Sequence, residues 1–250
     1  MNKPKIGIKL DPDYFSWDSE IFNKFDTIEL ASRDKALKFN IKKILEAKEI
    51  LKNKDLSMHT QTSRVFSCKQ HHVPEFSCAE IKILEAEIIL CKLLGAKELI
   101  FHMKNEKLDE EEAKIFKKLL KFAKKNGVEM IFESNNQFFG ETAVDTLKRF
   151  PKLNYNLDLG HFNIGITSRE LGMMPEEFLS KIKNRIVYIH AHNNNGKLDE
   201  HNGIDEGTLD WKHILDLLNF KKVRKIIMEV RNPEAVEKSK KLLDDYFEKK

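Results

Sequence analysis

Histidine and carboxylate side chains close six of the apolar runs in this 250-residue sequence. The runs read LSMH, LIFH, MIFE, YNLD, VYIH and IIME. Their last residues are His59, His102, Glu133, Asp158, His190 and Glu229. Packing alone would favour Val, Ile or Leu there, because a buried carboxylate without a partner is costly. Imidazole and carboxylate groups together suit Zn²⁺, Mn²⁺ or similar divalent ions, so the six run ends predict a metal site.

Two further segments add candidate ligands. The glycine of the DLGH segment would let the chain turn after the YNLD run and bring His161 back over the same site. Asp199 and His201 are two residues apart, and side chains at that spacing in an extended segment point the same way. We therefore predict that His161, Asp199 and His201 are also ligands. His192 is expected to support the ligands without binding the ion itself.

Eight short β-type runs alternate with longer amphipathic patterns. The predicted strands are Ile6–Leu10, Thr27–Ala31, Leu56–His59, Leu99–His102, Glu129–Glu133, Asn154–Asp158, Ile186–His190 and Ile226–Glu229. Apolar residues recur at helical spacing in Lys35–Asn53, Glu80–Leu94, Glu110–Lys125 and Glu234–Phe247. This alternation favours an α/β fold, a (β/α)8 TIM barrel forming a single domain over residues 1–250; a doubly wound sheet is the alternative. In such a barrel the carboxyl ends of all strands lie on one face, where the six run ends would meet.

Composition narrows the class of protein. No apolar run approaches the roughly 20 residues that span a bilayer, and the MNKPKIGIKL start alternates instead of forming a signal-peptide block. Three cysteines without close spacing predict neither a disulfide framework nor a structural zinc motif. The formal charge of +4 permits an anionic substrate but also fits a solvated Lys/Glu-rich surface. We expect a cytoplasmic protein with no membrane partner.

The ordered ligand set resembles that of the xylose isomerase-like TIM barrels, and specifically the AP endonuclease family 2 branch that includes endonuclease IV. The nine positions are His59, His102, Glu133, Asp158, His161, His190, Asp199, His201 and Glu229. The resemblance implies that His59, His102 and Glu133 hold one ion. A second ion would be held by Asp158, His190 and Glu229, with Glu133 as a bridge. A third would be held by His161, Asp199 and His201.

The sequence departs from endonuclease IV at four places, one of which enters the DNA stack in that enzyme. The aromatic and large apolar residues that enter the DNA stack after the third-strand histidine are replaced by Gln61–Arg64. A Pro-Gly pair becomes Met103 and Lys104, an Asn-Thr-Ala-Gly run becomes Ser134–Asn136, and a Gly-Glu-Gly element becomes Asp205–Gly207. The resemblance thus implies retained metal chemistry, whereas the departures count against DNA binding.

Two reactions fit this ligand set. We favour a phosphodiester hydrolase, in which two or three ions, most simply Zn²⁺, bind a phosphate ester and lower the pKa of a bridging water. Nine ligands exceed the needs of an isomerase, and the resemblance implies abasic sites in DNA as the substrate.

The alternative is a sugar or sugar-phosphate isomerase or epimerase, similar to other members of the superfamily. Here Glu133, Asp158, His190 and Glu229 would hold one Mn²⁺, Co²⁺ or Mg²⁺. Glu133 and Glu229 would transfer the proton through an enediolate, and His161 would position the substrate. A metal-dependent binding module is a third, non-enzymatic interpretation.

Overall fold

The computed structural model describes residues 3–10, 23–31, 48–60, 79–103, 106–134 and 140–250. Its strands lie side by side in chain order in one closed parallel barrel. They are β1 (Lys5–Leu10), β2 (Thr27–Ala31), β3 (Asp55–His59), β4 (Glu98–His102), β5 (Glu129–Glu133), β6 (Asn154–Asp158), β7 (Ile186–Ala191) and β8 (Lys225–Met228). The predicted (β/α)8 TIM barrel is confirmed.

Within the described residues, one helix follows each strand from β3 onward, except that two helices follow β6. They are α1 (Ala79–Leu94), α2 (Glu110–Lys125), α3 (Gly140–Arg149), α4 (Leu159–Ser168), α5 (Pro175–Ile182), α6 (Trp211–Asp216) and α7 (Pro233–Glu248). The α2 helix begins with a capping box, in which the Asp109 side chain accepts from the Glu112 backbone and the Glu112 side chain accepts from the Asp109 backbone. Of the predicted Lys35–Asn53 helix, residues 48–51 are helical and residues 35–47 lie outside the described residues.

The strand ends position the predicted ligands, and the last residues of two strands differ from the sequence-based prediction. β8 ends at Met228, so Glu229 lies one residue beyond the strand, and β7 continues through Ala191, so His190 is its penultimate residue. Asp158 at the end of β6 is paired in register with His190 of β7. Side chains from these two strands are therefore set beside each other by the sheet itself.

The chain divides into two compact units, one formed by Met1–Ile8 and Glu133–Lys250 and the other by Lys9–Phe132. In the first, β6, β7, β8 and the start of β1 are neighbours. In the second, β2, β3 and β4 are neighbours, and Phe101 packs 5.6 Å from Phe116 between ring centroids. The single domain over residues 1–250 stays a prediction. Across the described ranges, no helix has the length and apolar character needed to cross a membrane.

Candidate metal centre

Three carboxylates of the first unit surround one ring nitrogen of His190. Oε2 of Glu133 and Oε2 of Glu229 each lie 3.1 Å from His190 Nδ1, and Oδ2 of Asp158 lies 3.5 Å from it. Glu133, Asp158 and His190 are buried, with at most 1% of their surface exposed. We refer to Glu133, Asp158, His190 and Glu229 as the strand-end cluster.

The strand-end cluster fits a divalent cation. Three carboxylates gathered around one imidazole carry an excess of negative charge, and burying that charge is costly unless a cation compensates it. Carboxylate oxygen and imidazole nitrogen are ligands for Zn²⁺, Mn²⁺ and related ions. Glu133 also accepts a hydrogen bond of 2.7 Å from Asn156 Nδ2, which helps to orient the carboxylate.

Asp158 is held ionised by its surroundings. Its Oδ1 accepts a hydrogen bond of 2.7 Å from the backbone N–H of His161, which caps the start of α4. Burial alone would raise the pKa of Asp158, but the nearby imidazoles of His161 and His192 hold that pKa well below its ordinary value. An ionised carboxylate is the form that binds a metal ion.

His161 lies in the first turn of α4, so the predicted loop through Gly160 is wrong. β6 passes directly into α4 with Asp158 as the N-cap. Glycine is needed for a different reason, because a Cβ at position 160 would lie 2.0 Å from Cε1 of His192. The helix start, and not a left-handed turn, brings His161 back toward the strand-end cluster.

The ring nitrogens of His161 face different partners. Nδ1 lies 3.1 Å from the carbonyl oxygen of Ser134, which can only accept a hydrogen bond, and Nε2 lies 3.5 Å from Oδ2 of Asp199. Burial would lower the pKa of His161, but the charge of Asp158 and contacts with Asp199 and Glu133 raise that pKa well above its ordinary value. An Nδ1–H held by this carbonyl would leave Nε2 as the nitrogen that could bind a metal ion, as in many metal sites.

Asp199 and His201, which we call the loop pair, meet in the loop after β7. His201 Nε2 lies 3.0 Å from Asp199 Oδ2, and His201 Nδ1 lies 2.9 Å from the carbonyl oxygen of Glu229. The predicted extended segment is wrong here, since His201 has a φ of 56°, in the left-handed region. Burial would raise the pKa of Asp199, but its contacts with His161 and His201 lower that pKa. Burial would lower the pKa of His201, but Asp199 and Glu229 raise that pKa.

Asparagines that sequence reasoning missed shape this loop. The backbones of Asn193 and Asn202 form an antiparallel bridge with hydrogen bonds of 3.2 and 3.1 Å. The fully buried Asn194 donates to the Gly160 carbonyl at 2.9 Å and accepts from the Gly196 backbone at 2.8 Å. The NNNG run was the available signal, because asparagine side chains commonly bond to nearby backbone. These contacts tie the loop to α4.

His192 contacts both the strand-end cluster and the loop pair. Its Nε2 lies 3.0 and 3.1 Å from the two oxygens of Asp158, and its ring stacks on that of His201 with centroids 4.3 Å apart. Ligand atoms of His192, Asp199 and His201 lie within 4.8 Å of one another, as do those of Asp158, His192 and Glu229. Its exclusion from the ligands stays a prediction.

In the second unit, His59 and His102 end β3 and β4 as expected. Their ring centroids are 5.0 Å apart, and His59 Nδ1 lies 2.9 Å from the carbonyl oxygen of Thr60. An Nδ1–H donated to that carbonyl would leave Nε2 of His59 as the nitrogen that could bind a metal ion. That these histidines share an ion with Glu133 stays a prediction.

Some positions at which the sequence departs from endonuclease IV lie outside the described residues. These positions are Gln61–Arg64, Lys104 and residues 135–136. The Asp205–Gly207 element is described, and there Glu206 Oε2 accepts a hydrogen bond of 3.1 Å from the Gly203 backbone. Glu206 therefore stabilises its own loop.

Residues 23–246 match the family described as Xylose isomerase-like TIM barrel. A relative from Methanocaldococcus jannaschii, the uncharacterized protein MJ1311, is 27% identical over 177 residues. The matched segment covers 66% of this chain and 58% of that protein, which is less than two thirds of the relative's length.

Solved structures share the fold over nearly the whole chain. A D-tagatose 3-epimerase-like protein has a TM-score of 0.75 and 20% identity, covering 98% of this chain and 97% of that one. An L-ribulose 3-epimerase has a TM-score of 0.67 and 17% identity, covering 97% and 86%. The IOLI protein with a binding zinc atom has a TM-score of 0.69 and 17% identity, covering 98% of each chain. At these identities the likeness establishes the fold.

Proposed function

We propose that this chain, which belongs to the xylose isomerase-like TIM barrel family, is a divalent-metal-dependent isomerase or epimerase of a sugar or sugar phosphate. The observation that carries the proposal is the convergence of Glu133, Glu229 and Asp158 on Nδ1 of His190, at 3.1 to 3.5 Å. This arrangement provides ligands for one ion and two glutamates for proton transfer around the same point.

The strand-end cluster would hold the ion. When bound, a divalent cation acts as a Lewis acid that polarises the carbonyl group of a hydroxycarbonyl compound. Asp158 and His190 serve as ligands only, whereas Glu133 and Glu229 are also candidates for acid–base work. Zn²⁺, Mn²⁺, Co²⁺ and Mg²⁺ are the candidate ions for these donors.

Glu133 and Glu229 would act as an acid–base pair. One carboxylate removes the proton from the carbon next to the substrate carbonyl, and the electron pair of that C–H bond moves to give the enediolate. The other glutamate, in its acid form, returns a proton to carbon. Exchange with solvent then removes the proton from the first glutamate and restores the one lost by the second. General acid–base catalysis of this kind contributes about 10²- to 10⁴-fold in rate.

His161 would position the substrate beside this pair. Its ring lies 3.4 Å from Glu133 Oε1 and 3.8 Å from Asp158 Oδ2, measured from Nδ1. The ring is therefore next to the group that would exchange the proton. The epimerase names of two similar structures support sugars as the substrate class.

The test is proton exchange from solvent. The full chain loaded with Mn²⁺ or Co²⁺ is incubated in D₂O with a panel of ketoses and ketose phosphates, and NMR follows deuterium at the carbons next to the carbonyl. We expect exchange to fall by about 100-fold or more in Glu133→Gln and Glu229→Gln. The matched control is Glu177→Gln, since Glu177 lies exposed on α5.

No exchange with any sugar by the metal-loaded wild-type protein would contradict the proposal. Equal exchange in the wild-type protein and both glutamine variants would remove Glu133 and Glu229 from the mechanism.

The second candidate function is an endonuclease IV-like hydrolase acting at abasic sites. The observation that favours it is Oδ2 of Asp199, which lies 3.0 Å from His201 Nε2 and 3.5 Å from His161 Nε2. A second ion there would serve phosphodiester hydrolysis, whereas an isomerase needs one. Two or three metal equivalents by elemental analysis, with incision of a duplex carrying an abasic analogue above an Asp158→Ala control, would favour the hydrolase. One equivalent and no incision would favour the isomerase.

A further inference from the structure

We propose that His192 is a positioning residue that fixes the Asp158 carboxylate and joins the strand-end cluster to the loop pair. The inference rests on the proposed function, because that function gives Asp158 its role as a ligand. Four observations carry it: the hydrogen bonds of the ring, its stacking, its burial and the lack of space beside it.

His192 contacts both oxygens of Asp158, and each oxygen has a different second partner. A carboxylate only accepts hydrogen bonds, so the proton between the two groups is on Nε2 of His192, 3.0 Å from Oδ1 and 3.1 Å from Oδ2. Oδ1 also accepts from the His161 backbone at 2.7 Å. Oδ2 is the oxygen that lies 3.5 Å from His190 Nδ1. Rotation of the carboxylate away from the cluster would break these contacts.

The geometry of the ring argues against metal ligation by His192. Its plane is within 15° of that of His201, and the two centroids are 4.3 Å apart. The lone pair of an imidazole nitrogen lies in the ring plane, so two stacked rings direct their lone pairs in separate, nearly parallel planes. One ion cannot lie in both planes. Proximity to Asp199 and His201 therefore does not make His192 their fellow ligand.

The second ring nitrogen of His192 faces Gly160 in the first turn of α4. An ideal Cβ on Gly160 would lie 2.5 Å from Nδ1 and 2.0 Å from Cε1, so only a glycine fits against this ring. Asn194 holds the Gly160 carbonyl at 2.9 Å. His192 is fully buried, and within the described part of the chain its Nδ1 has no hydrogen-bond partner. Burial and the close approach of Gly160 therefore restrict rotation of the ring.

One ring thus contacts a member of each group, Asp158 of the strand-end cluster and His201 of the loop pair. The hydrogen bond to Asp158 holds a carboxylate of the cluster in place, and the stacked face of the ring packs against His201 of the loop pair. Partners that orient metal ligands change metal affinity by about 10- to 100-fold when they are removed.

The experiment compares His192→Gln with His192→Met in the full chain. The two side chains have the same length and both lack the ring, but only glutamine offers an N–H near the position of Nε2. Isothermal titration with Co²⁺ measures affinity, and the visible absorption of the bound Co²⁺ reports its coordination. We expect the His192→Met variant to bind Co²⁺ about 10-fold or more weakly than the His192→Gln variant and to show a changed spectrum.

Equal affinities and spectra for these two variants would overturn the proposal, because packing alone would then explain His192. Circular dichroism checks folding. If the methionine variant does not fold, His192→Phe keeps an aromatic ring and removes the donor. Cobalt binding by the phenylalanine variant equal to that of the wild-type protein would overturn the proposal, and binding about 10-fold weaker would support it. A wild-type protein that binds Co²⁺ but converts no sugar would refute the proposed function alone, leaving His192 to be judged by the cobalt data.

Discussion

The strand-end cluster and the loop pair have similar donors but are held in place differently. In the strand-end cluster, Glu133, Asp158 and His190 stand at strand ends and are almost fully buried, and the Glu229 side chain is 16% exposed. The side chains of Asp199 and His201 in the loop pair remain 27% and 12% exposed. Sheet register places Asp158 opposite His190. The loop pair depends instead on a backbone bridge and on a left-handed residue. A site on strands is more rigid than a site on a loop, so the two regions should respond differently to the same change.

The largest expected difference comes from removing one carboxylate from each region. In Asp158→Asn the strand-end cluster loses a buried charge that His161 and His192 both contact, and we expect metal affinity and sugar exchange to fall by more than about 100-fold. In Asp199→Asn we expect a smaller loss of sugar exchange, of about 10-fold, because Asp199 lies outside the cluster and contacts His161. Titration with Co²⁺ and exchange measured by NMR check both. A loss of exchange in Asp199→Asn as large as that in Asp158→Asn would show that the two regions form one catalytic site.

A smaller effect, on the free energy of unfolding, is expected from adding a methyl group beside His192. Gly160→Ala places a Cβ against the ring of His192, and we expect the free energy of unfolding to fall by about 1–3 kcal/mol. Gly203→Ala is the matched control, since its Cβ would meet the flexible end of the Glu206 side chain at 3.0 Å. Urea unfolding of the metal-free variants gives both values. A Gly160→Ala protein as stable as the control would mean that His192 can move without cost.

The smallest expected effect is a dependence of stability on pH at the loop pair. The pKa of His201 is raised in the folded protein, so its contribution to stability is complete below the ordinary pKa of about 6.5 and is lost as pH rises through the folded value. We expect the difference in unfolding free energy between the metal-free wild-type protein and His201→Asn to shrink between about pH 6 and pH 9.

His213→Asn is the control for that series, because His213 lies on the exposed face of α6. Its effect on unfolding should stay within about 0.5 kcal/mol, as for most surface substitutions. A difference for His201→Asn that grows with pH would contradict the expected sign.

Much of the fold was predictable because of how a parallel barrel is built. Its strands are buried on both faces and therefore read as continuous apolar runs, and β2, β5 and β6 have the predicted bounds. Within the first unit, the predicted ligands of the strand-end cluster meet at His190 because parallel strands finish on the same side. Periodicity is a local property, and the sequence carries it directly.

The details that local patterns missed depend on contacts between distant residues. Gly160 reads as a turn glycine, but its lack of a side chain is required by His192, which comes 32 positions later in the chain. Asp199 and His201 read as neighbours on an extended segment, yet they meet through a left-handed residue in a loop held by Asn193 and Asn194. No spacing rule contains these contacts.

Residue type and apolar periodicity can be read from the sequence alone. They were enough to predict which histidine and carboxylate residues are candidate ligands, and that most of them lie at the ends of buried strands. Which atoms meet was settled by tertiary packing: three carboxylates around one nitrogen of His190, and a stacked His192 between Asp158 and His201. The physical reason is that hydrogen bonds and metal coordination are sensitive to differences of a few tenths of an ångström in the distance between two atoms. Such distances are set only when elements far apart in sequence pack together.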